Sequence, residues 1–123
     1  LEDRVVVCER VHDIEDYLQA ADIGLFTSET ESFCLSILEA MYFSCPSVTT
    51  RVGGIPEVID DGRTGILVPF GDVEALARSV ELLIADPARR AALGHAAKLS
   101  AQTRFSASVI VPQYEAMYRR VCG

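Results

Sequence analysis

Glu31 and Glu39 stand in an E-x7-E spacing, the first within the polar run Ser28-Glu29-Thr30-Glu31-Ser32 and the second two turns into the apolar segment that follows. Spacing alone describes two solvated carboxylates equally well. The segment between them carries more information. Ser32-Phe33-Cys34-Leu35 leads from a loop into a helix, so its backbone N–H groups are expected to point outward at a helix N-terminus. Free amides and the positive end of the helix dipole favour an anion there, and phosphate is the expected guest.

Other residues able to do chemistry are scattered. His12 and His95 have no carboxylate or cysteine at ligand spacing, which favours exposed or capping histidines over catalysis. Cys8, Cys34, Cys45 and Cys122 lie far apart without C-x-x-C spacing, so neither zinc nor a disulfide framework is indicated. Asp60-Asp61 falls in a turn signal and lacks the D-x-D spacing of a metal-binding pair, and turn chemistry is the better account. No G-x-G-x-x-G follows a strand and no P-loop is present, which argues against a dinucleotide dehydrogenase or a P-loop nucleotidase.

The elements that must position Glu31 and Glu39 alternate in period. Val5-Val6-Val7-Cys8 reads as a strand buried on both faces. Asp13 is the expected N-cap of a helix carrying Ile14, Tyr17, Leu18 and Ala21, and Ile23 to Thr27 returns to strand character. Phe33 to Phe43 then predicts a helix with Leu35, Leu38, Ala40 and Met41 buried, ended by Pro46 and followed by a strand over Ser47 to Thr50. Gly53-Gly54-Ile55-Pro56 predicts a tight turn into a single helical turn, and Ile66-Leu67-Val68 a further strand. Beyond it the chain is helical. Asp72 caps a helix with Val73, Leu76, Ala77, Val80, Leu83 and Ile84 on one face, and Asp86-Pro87 opens the next. Ser106 can cap a last helix carrying Tyr114, Met117, Tyr118 and Val121 as a docking stripe, with Pro112 expected to kink it or delay its start. Alternating strands and helices imply an α/β fold with a parallel, doubly wound sheet whose ligand crevice lies at the carboxyl ends of the strands.

Composition bounds the rest. A chain of 123 residues with 18 acidic against 11 basic side chains, a net charge of -7 and half its residues hydrophobic suits one domain with a real core. The acidic balance argues against a nucleic-acid partner. No apolar run approaches the roughly 18 residues of a spanning helix, and the scattered free cysteines fit a reducing, cytoplasmic setting. The opening Leu1-Glu2-Asp3-Arg4 has neither an initiator Met nor the character of a signal peptide, so an excised piece of a longer polypeptide is expected.

Taken in order, Ser28-Glu29-Thr30-Glu31-Ser32-Phe33, then Leu38-Glu39-Ala40-Met41, Pro46, and Thr50-Arg51-Val52-Gly53-Gly54-Ile55-Pro56-Glu57-Val58-Ile59 resemble the C-terminal, nucleotide-sugar-binding domain of GT-B glycosyltransferases of family 4. Within that retaining group the sequence is most similar to the N-acetylglucosaminyl-malate synthases of bacillithiol synthesis. The resemblance covers nearly the whole chain. It implies a Rossmann-like, partial doubly wound sheet forming residues 1–123 as a single partial domain with C-terminal helices. It also implies a UDP- or GDP-sugar as donor and no metal cofactor. Carried over by position, Glu31 contacts hydroxyls of the donor sugar as the catalytic-site carboxylate, the amides around Ser32, Phe33, Cys34 and Leu35 hold the diphosphate, and Glu39 accepts hydrogen bonds from the ribose. Arg10 and Val11 match the segment bordering the nucleobase. Gly53, Gly54 and Glu57 match a G-G-x-P-E signature, with the glycines expected at positive φ and Glu57 as a loop-ordering acceptor.

The departures are Cys34 and Ser44, where the family usually has glycine; a side chain at position 34 is expected to crowd the pyrophosphate. The resemblance further implies an acceptor domain and the first βαβ portion of this domain, with its Arg and Lys, outside this sequence. Without them the polypeptide is expected to be inactive alone, to rearrange or swap its sheet, or to pair with the absent domain or a second copy as a homodimer through exposed edges. A longer form is expected to be cytoplasmic, free or peripheral to a membrane. A nucleotide-sugar 2-epimerase on the same architecture and a non-catalytic dimerisation module are the alternatives.

Overall fold

The computed structural model describes residues 2–123, and the segment Glu2–Arg4 forms one turn of 3-10 helix. Helix α1 (Ile14–Ala20) and strand β1 (Gly24–Phe26) lead to α2 (Leu35–Tyr42), β2 (Ser47–Thr50), the short α3 (Ile55–Val58) and β3 (Gly65–Val68). Three helices close the chain: α4 (Val73–Ala85), α5 (Pro87–Arg104) and α6 (Ala107–Cys122). The sheet is three-stranded and wholly parallel, in the order β1-β2-β3. Gly24 pairs with Ser47, Phe26 with Thr49, and Thr50 with Val68, so the carboxyl ends of all three strands finish together.

Helices cover both faces of this sheet. On one, Ile37 and Met41 of α2, Ile55 and Val58 of α3, Leu67 of β3, and Ala97 and Ala101 of α5 form the main cluster. On the other, Val48 packs with Leu83 of α4 and Leu93 of α5. Every residue of β2 is buried, although three of the four carry hydroxyls. Thr50 Oγ1 donates to the Ser28 carbonyl at 2.6 Å, tying the central strand to the loop after β1. Arg90 joins the far end: its guanidinium donates to the Leu83 carbonyl at 2.8 Å, closing the C-terminus of α4, and pairs with Asp22 at 3.3 Å ahead of β1.

Several sequence expectations need correction. The run Val5-Val6-Val7-Cys8 is not a strand; its side chains stand in solvent, Val6 at 86% exposure. A β-branched run signals burial only if neighbours supply the ladder and the covering layers, and no strand lies beside this one among the described residues. The fold class stands, with Val5 to Cys8 outside the sheet. Asp13 precedes α1 without a side-chain cap, and α1 buries none of its residues, whereas Asp72 and Asp86 cap α4 and α5 by accepting from Ala75 and Arg89 N–H. The apolar stripe of α4 is narrower than its pattern: Leu83 is buried, Leu76 and Val80 half-buried, and Val73, Ala77 and Ile84 exposed, because β2, β3 and α5 beneath it cover one narrow side of the helix. Pro112 neither delays nor interrupts α6. Val109 and Ile110 N–H both reach the Ser106 carbonyl at 2.9 Å, so the first turn closes upstream of the proline. Tyr114, Met117, Tyr118 and Val121 remain exposed along α6.

Helix α2 is shorter than its periodicity because left-handed residues bound it. Cys34 has φ 65° and Ser44 φ 60°, the two positions where glycine was expected. At the C-terminal end Cys45 N–H bonds the Ala40 carbonyl at 2.9 Å and Ser44 N–H the Met41 carbonyl at 3.1 Å, a Schellman arrangement with serine in the glycine place; the helix therefore stops before Pro46 is reached. A left-handed L-residue costs roughly 1–2 kcal/mol, of which glycine's freer unfolded chain returns about 0.4–1. Ser44→Gly is accordingly expected to stabilise the fold by about 0.5–1 kcal/mol, seen as a higher urea midpoint at unchanged slope; a lower midpoint would mean the serine hydroxyl holds something.

Candidate functional site

The segment from Thr27 to Cys34 leaves the carboxyl end of β1 and must turn back over the sheet to start α2. Ser28 pins this loop. Its hydroxyl donates to Glu31 Oε1 at 2.9 Å, while its carbonyl receives the Thr50 hydroxyl. Glu31 is thereby half-buried and oriented, not a freely solvated carboxylate. The turn after β2 closes the other side. Gly54 N–H reaches the Glu31 carbonyl at 3.4 Å, and a Cβ on Gly53 would stand 1.6 Å from that same oxygen. Gly53 has φ 51°, as the sequence led one to expect. Gly54 does not; its φ is -81°, and glycine is required there because a Cβ would fall 2.1 Å from the Ser32 carbonyl oxygen. Two backbone segments thus lie in direct contact, one from each side of the crevice.

Cys34 marks where the loop becomes helix. Its left-handed backbone carries a side chain that joins the main core cluster, with the thiol buried beside the Glu31 carboxylate of the loop. Burial pushes the Cys34 thiol up, against the backbone N–H of Ile37, which favours the thiolate, and the Glu31 carboxylate adds to the rise. Phe33, Cys34 and Leu35 N–H donate to no backbone acceptor among the described residues, which leaves them available at the start of α2. Leu35 and Ser32 are exposed, and Glu39 stands exposed on α2.

Arg10 and Val11 are separate from this group. They lie in the irregular segment before α1, Arg10 exposed and Val11 half-buried, and neither makes an ion pair or backbone hydrogen bond to the loop among the described residues. Glu57 also departs from expectation: its exposed side chain orders nothing, and its carbonyl is the group used, accepting from Arg104. Asp60 and Asp61 are spent on turn chemistry. Asp61 Oδ1 accepts from Leu67 N–H at 2.9 Å and its other oxygen faces Arg51, while the Asp60 carboxylate faces Arg63 and its carbonyl accepts from Thr64 N–H at 2.9 Å. Both histidines are exposed. Missed from sequence were Ser28 and Thr50, whose signal is only a hydroxyl three residues before Glu31 and another at a strand end. Missed too was an apolar pocket at the strand ends walled by Thr27, Thr50, Pro69, Phe70, Val73 and Leu76.

The family described as glycosyl transferases group 1 matches residues 1–86. The chain belongs to the group 1 glycosyltransferases. Among group 1 relatives, it is 40% identical over 118 residues to N-acetyl-alpha-D-glucosaminyl L-malate synthase of Bacillus anthracis, covering 96% of this chain and 31% of that protein. It is also 40% identical over 116 residues to alpha-maltose-1-phosphate synthase of Mycolicibacterium smegmatis, covering 89% of this chain and 30% of that protein. The crystal structure of Anabaena HepE in complex with UDP-glucose superposes with a TM-score of 0.92 at 30% identity, over 98% of this chain and 33% of that one. The chain thus spans about a third of the length of these relatives. No helix among the described residues is long and apolar enough to cross a membrane.

Proposed function

We propose that residues 1–123 are the donor-binding part of a retaining glycosyltransferase that transfers a sugar from a UDP- or GDP-sugar to an acceptor held elsewhere in a longer protein. The observation that carries this is the loop Ser28–Cys34, fixed between β1 and the Gly53-Gly54 turn and delivering free amides to the start of α2. HepE, whose fold is shared over nearly this whole chain, was crystallised with UDP-glucose. On this reading the amides of Phe33, Cys34 and Leu35 hold the diphosphate, whose negative charge grows as the donor bond breaks. Glu31, held by Ser28, accepts from hydroxyls of the sugar. Glu39 offers two oxygens to the two ribose hydroxyls, a match of a carboxylate to a vicinal diol.

Arg10 and Val11 complete the nucleobase edge only if the segment before α1 folds over the crevice when nucleotide binds. No metal enters the scheme, and the polypeptide alone binds donor without turning it over. No observation favours a 2-epimerase.

Titration calorimetry of the chain with UDP, GDP and UDP-N-acetylglucosamine tests the assignment. Glu39→Ala is expected to weaken nucleotide binding at least tenfold, the loss for removing a charged hydrogen-bond acceptor, while Glu2→Ala leaves it unchanged. Equal affinities in the two variants would remove the ribose role. No saturation of the unsubstituted chain at millimolar nucleotide would remove the donor-site assignment and leave family membership as ancestry.

A further inference from the structure

The sharp junction between α5 and α6 places Phe105 against the candidate phosphate loop. The Phe105 ring meets Phe33 edge to face, with centroids 5.7 Å apart and planes at 70°. Phe33 lies immediately before Cys34, between the carboxylate of Glu31 and the amides that open α2. Phe105 is itself fixed from behind. The Arg104 guanidinium lies 4.8 Å from its ring centroid, donates to the Glu57 carbonyl and to Ser100 Oγ, and sits 3.9 Å from Asp60. One arginine therefore ties the end of α5 to the end of α3, on the chain that continues from the Gly53-Gly54 turn. The loop and the short helix that follows the Gly53-Gly54 turn are thus both held from a point over seventy residues downstream of Phe33.

We propose that Phe105, braced by Arg104, is a positioning residue for the Phe33–Leu35 loop, setting where its amides point without touching a ligand itself. This rests on the donor-site assignment only for what the loop binds; the positioning is a property of the loop. A half-buried aromatic at a helix junction is otherwise a core residue, and the two roles differ in what its removal disturbs. A core residue loosens the whole domain. A positioning residue loosens the loop first.

The two buried thiols separate these outcomes. Cys34 belongs to the loop, whereas Cys45 lies at the opposite end of α2, and both are buried. Their alkylation rates by iodoacetamide, followed peptide by peptide in the mass spectrometer, report loop opening and general opening. In Phe105→Ala, Cys34 modification is expected to speed up about tenfold relative to Cys45, the scale of one aromatic pair, with Phe105→Tyr returning it to the original rate. Val80→Ala, a half-buried change on the α4 side of the sheet, is the reference for general loosening and should move both thiols alike. Should Phe105→Ala not fold, Phe105→Leu keeps an apolar side chain while losing the edge-to-face contact. Equal acceleration of Cys34 and Cys45 in the Phe105 variants, as in Val80→Ala, would overturn the proposal. UDP titration of the same proteins keeps the two assignments apart. Selective Cys34 opening with UDP affinity about tenfold weaker supports both, and selective opening in a chain that never bound UDP supports the positioning while ending the phosphate role.

Discussion

Gly53→Ala is expected to lower nucleotide affinity by about a hundredfold, the cost of displacing binding groups by an ångström or so. Two effects add at this position. The residue has φ 51°, where an L side chain is strained by roughly 1–2 kcal/mol, and its new methyl would stand 1.6 Å from the Glu31 carbonyl oxygen. The second cannot be absorbed by a rotamer change, because both partners are backbone. Either the Gly53-Gly54 turn or the Glu31 loop must move, and Glu31 is the residue assigned to the sugar. Gly62→Ala separates the two effects. Gly62 has φ 74° but nothing within 4 Å of a Cβ, so its substitution carries the conformational cost without the collision. The expected pair of results is a loss of stability from strain alone in Gly62→Ala and a larger loss in Gly53→Ala, with nucleotide affinity lowered in Gly53→Ala only. Calorimetric titration alongside urea unfolding measures both, and intact UDP binding in Gly53→Ala would mean the loop is not where the nucleotide sits.

The second large effect is on stability and reverses the usual rule for helices. An alanine is normally worth about 1 kcal/mol more than glycine in a helix interior. Gly94→Ala in α5 is nevertheless expected to destabilise the domain by about 2–3 kcal/mol net, since overpacking a close contact outweighs the propensity gain. A Cβ at this position would lie 2.1 Å from the Ser44 carbonyl oxygen and 3.4 Å from Pro46 Cδ. This is where α5 crosses the Schellman turn at the end of α2. The loss should appear as a lower urea midpoint and a lower melting temperature with the nucleotide affinity of the remaining folded protein unaltered. A neutral or stabilised Gly94→Ala would show that the two helices separate easily.

Local signals in the sequence placed the helices, although of the four expected side-chain caps only Asp72 and Asp86 bond, and Asp13 and Ser106 do not. Asp72 and Asp86 announce their helices because capping is local, and Pro87 marks the start of α5 for the same reason. The Glu31 and Gly53-Gly54 segments were legible as a pair through their resemblance to a family, but not why they belong together. Gly54 looks like a residue chosen for its backbone angle, and only the approach of Ser32, distant in sequence, reveals a steric requirement instead. Cys34 and Ser44 were legible as departures from glycine, whereas their left-handed angles and the inward turn of the Cys34 side chain depend on tertiary packing. Val5 to Cys8 failed for the complementary reason. Its residues describe an environment, and the environment is supplied by other strands.

The strands also lie side by side in the order in which they occur along the chain. During synthesis β2 therefore meets β1 and β3 meets β2 already made, and among the described residues no strand is inserted between two others. The pairing of β1 with β2 can be complete before β3 leaves the ribosome, and α5 then seals the face on which α2 already rests. Along these three strands the order of synthesis and the order in the sheet coincide.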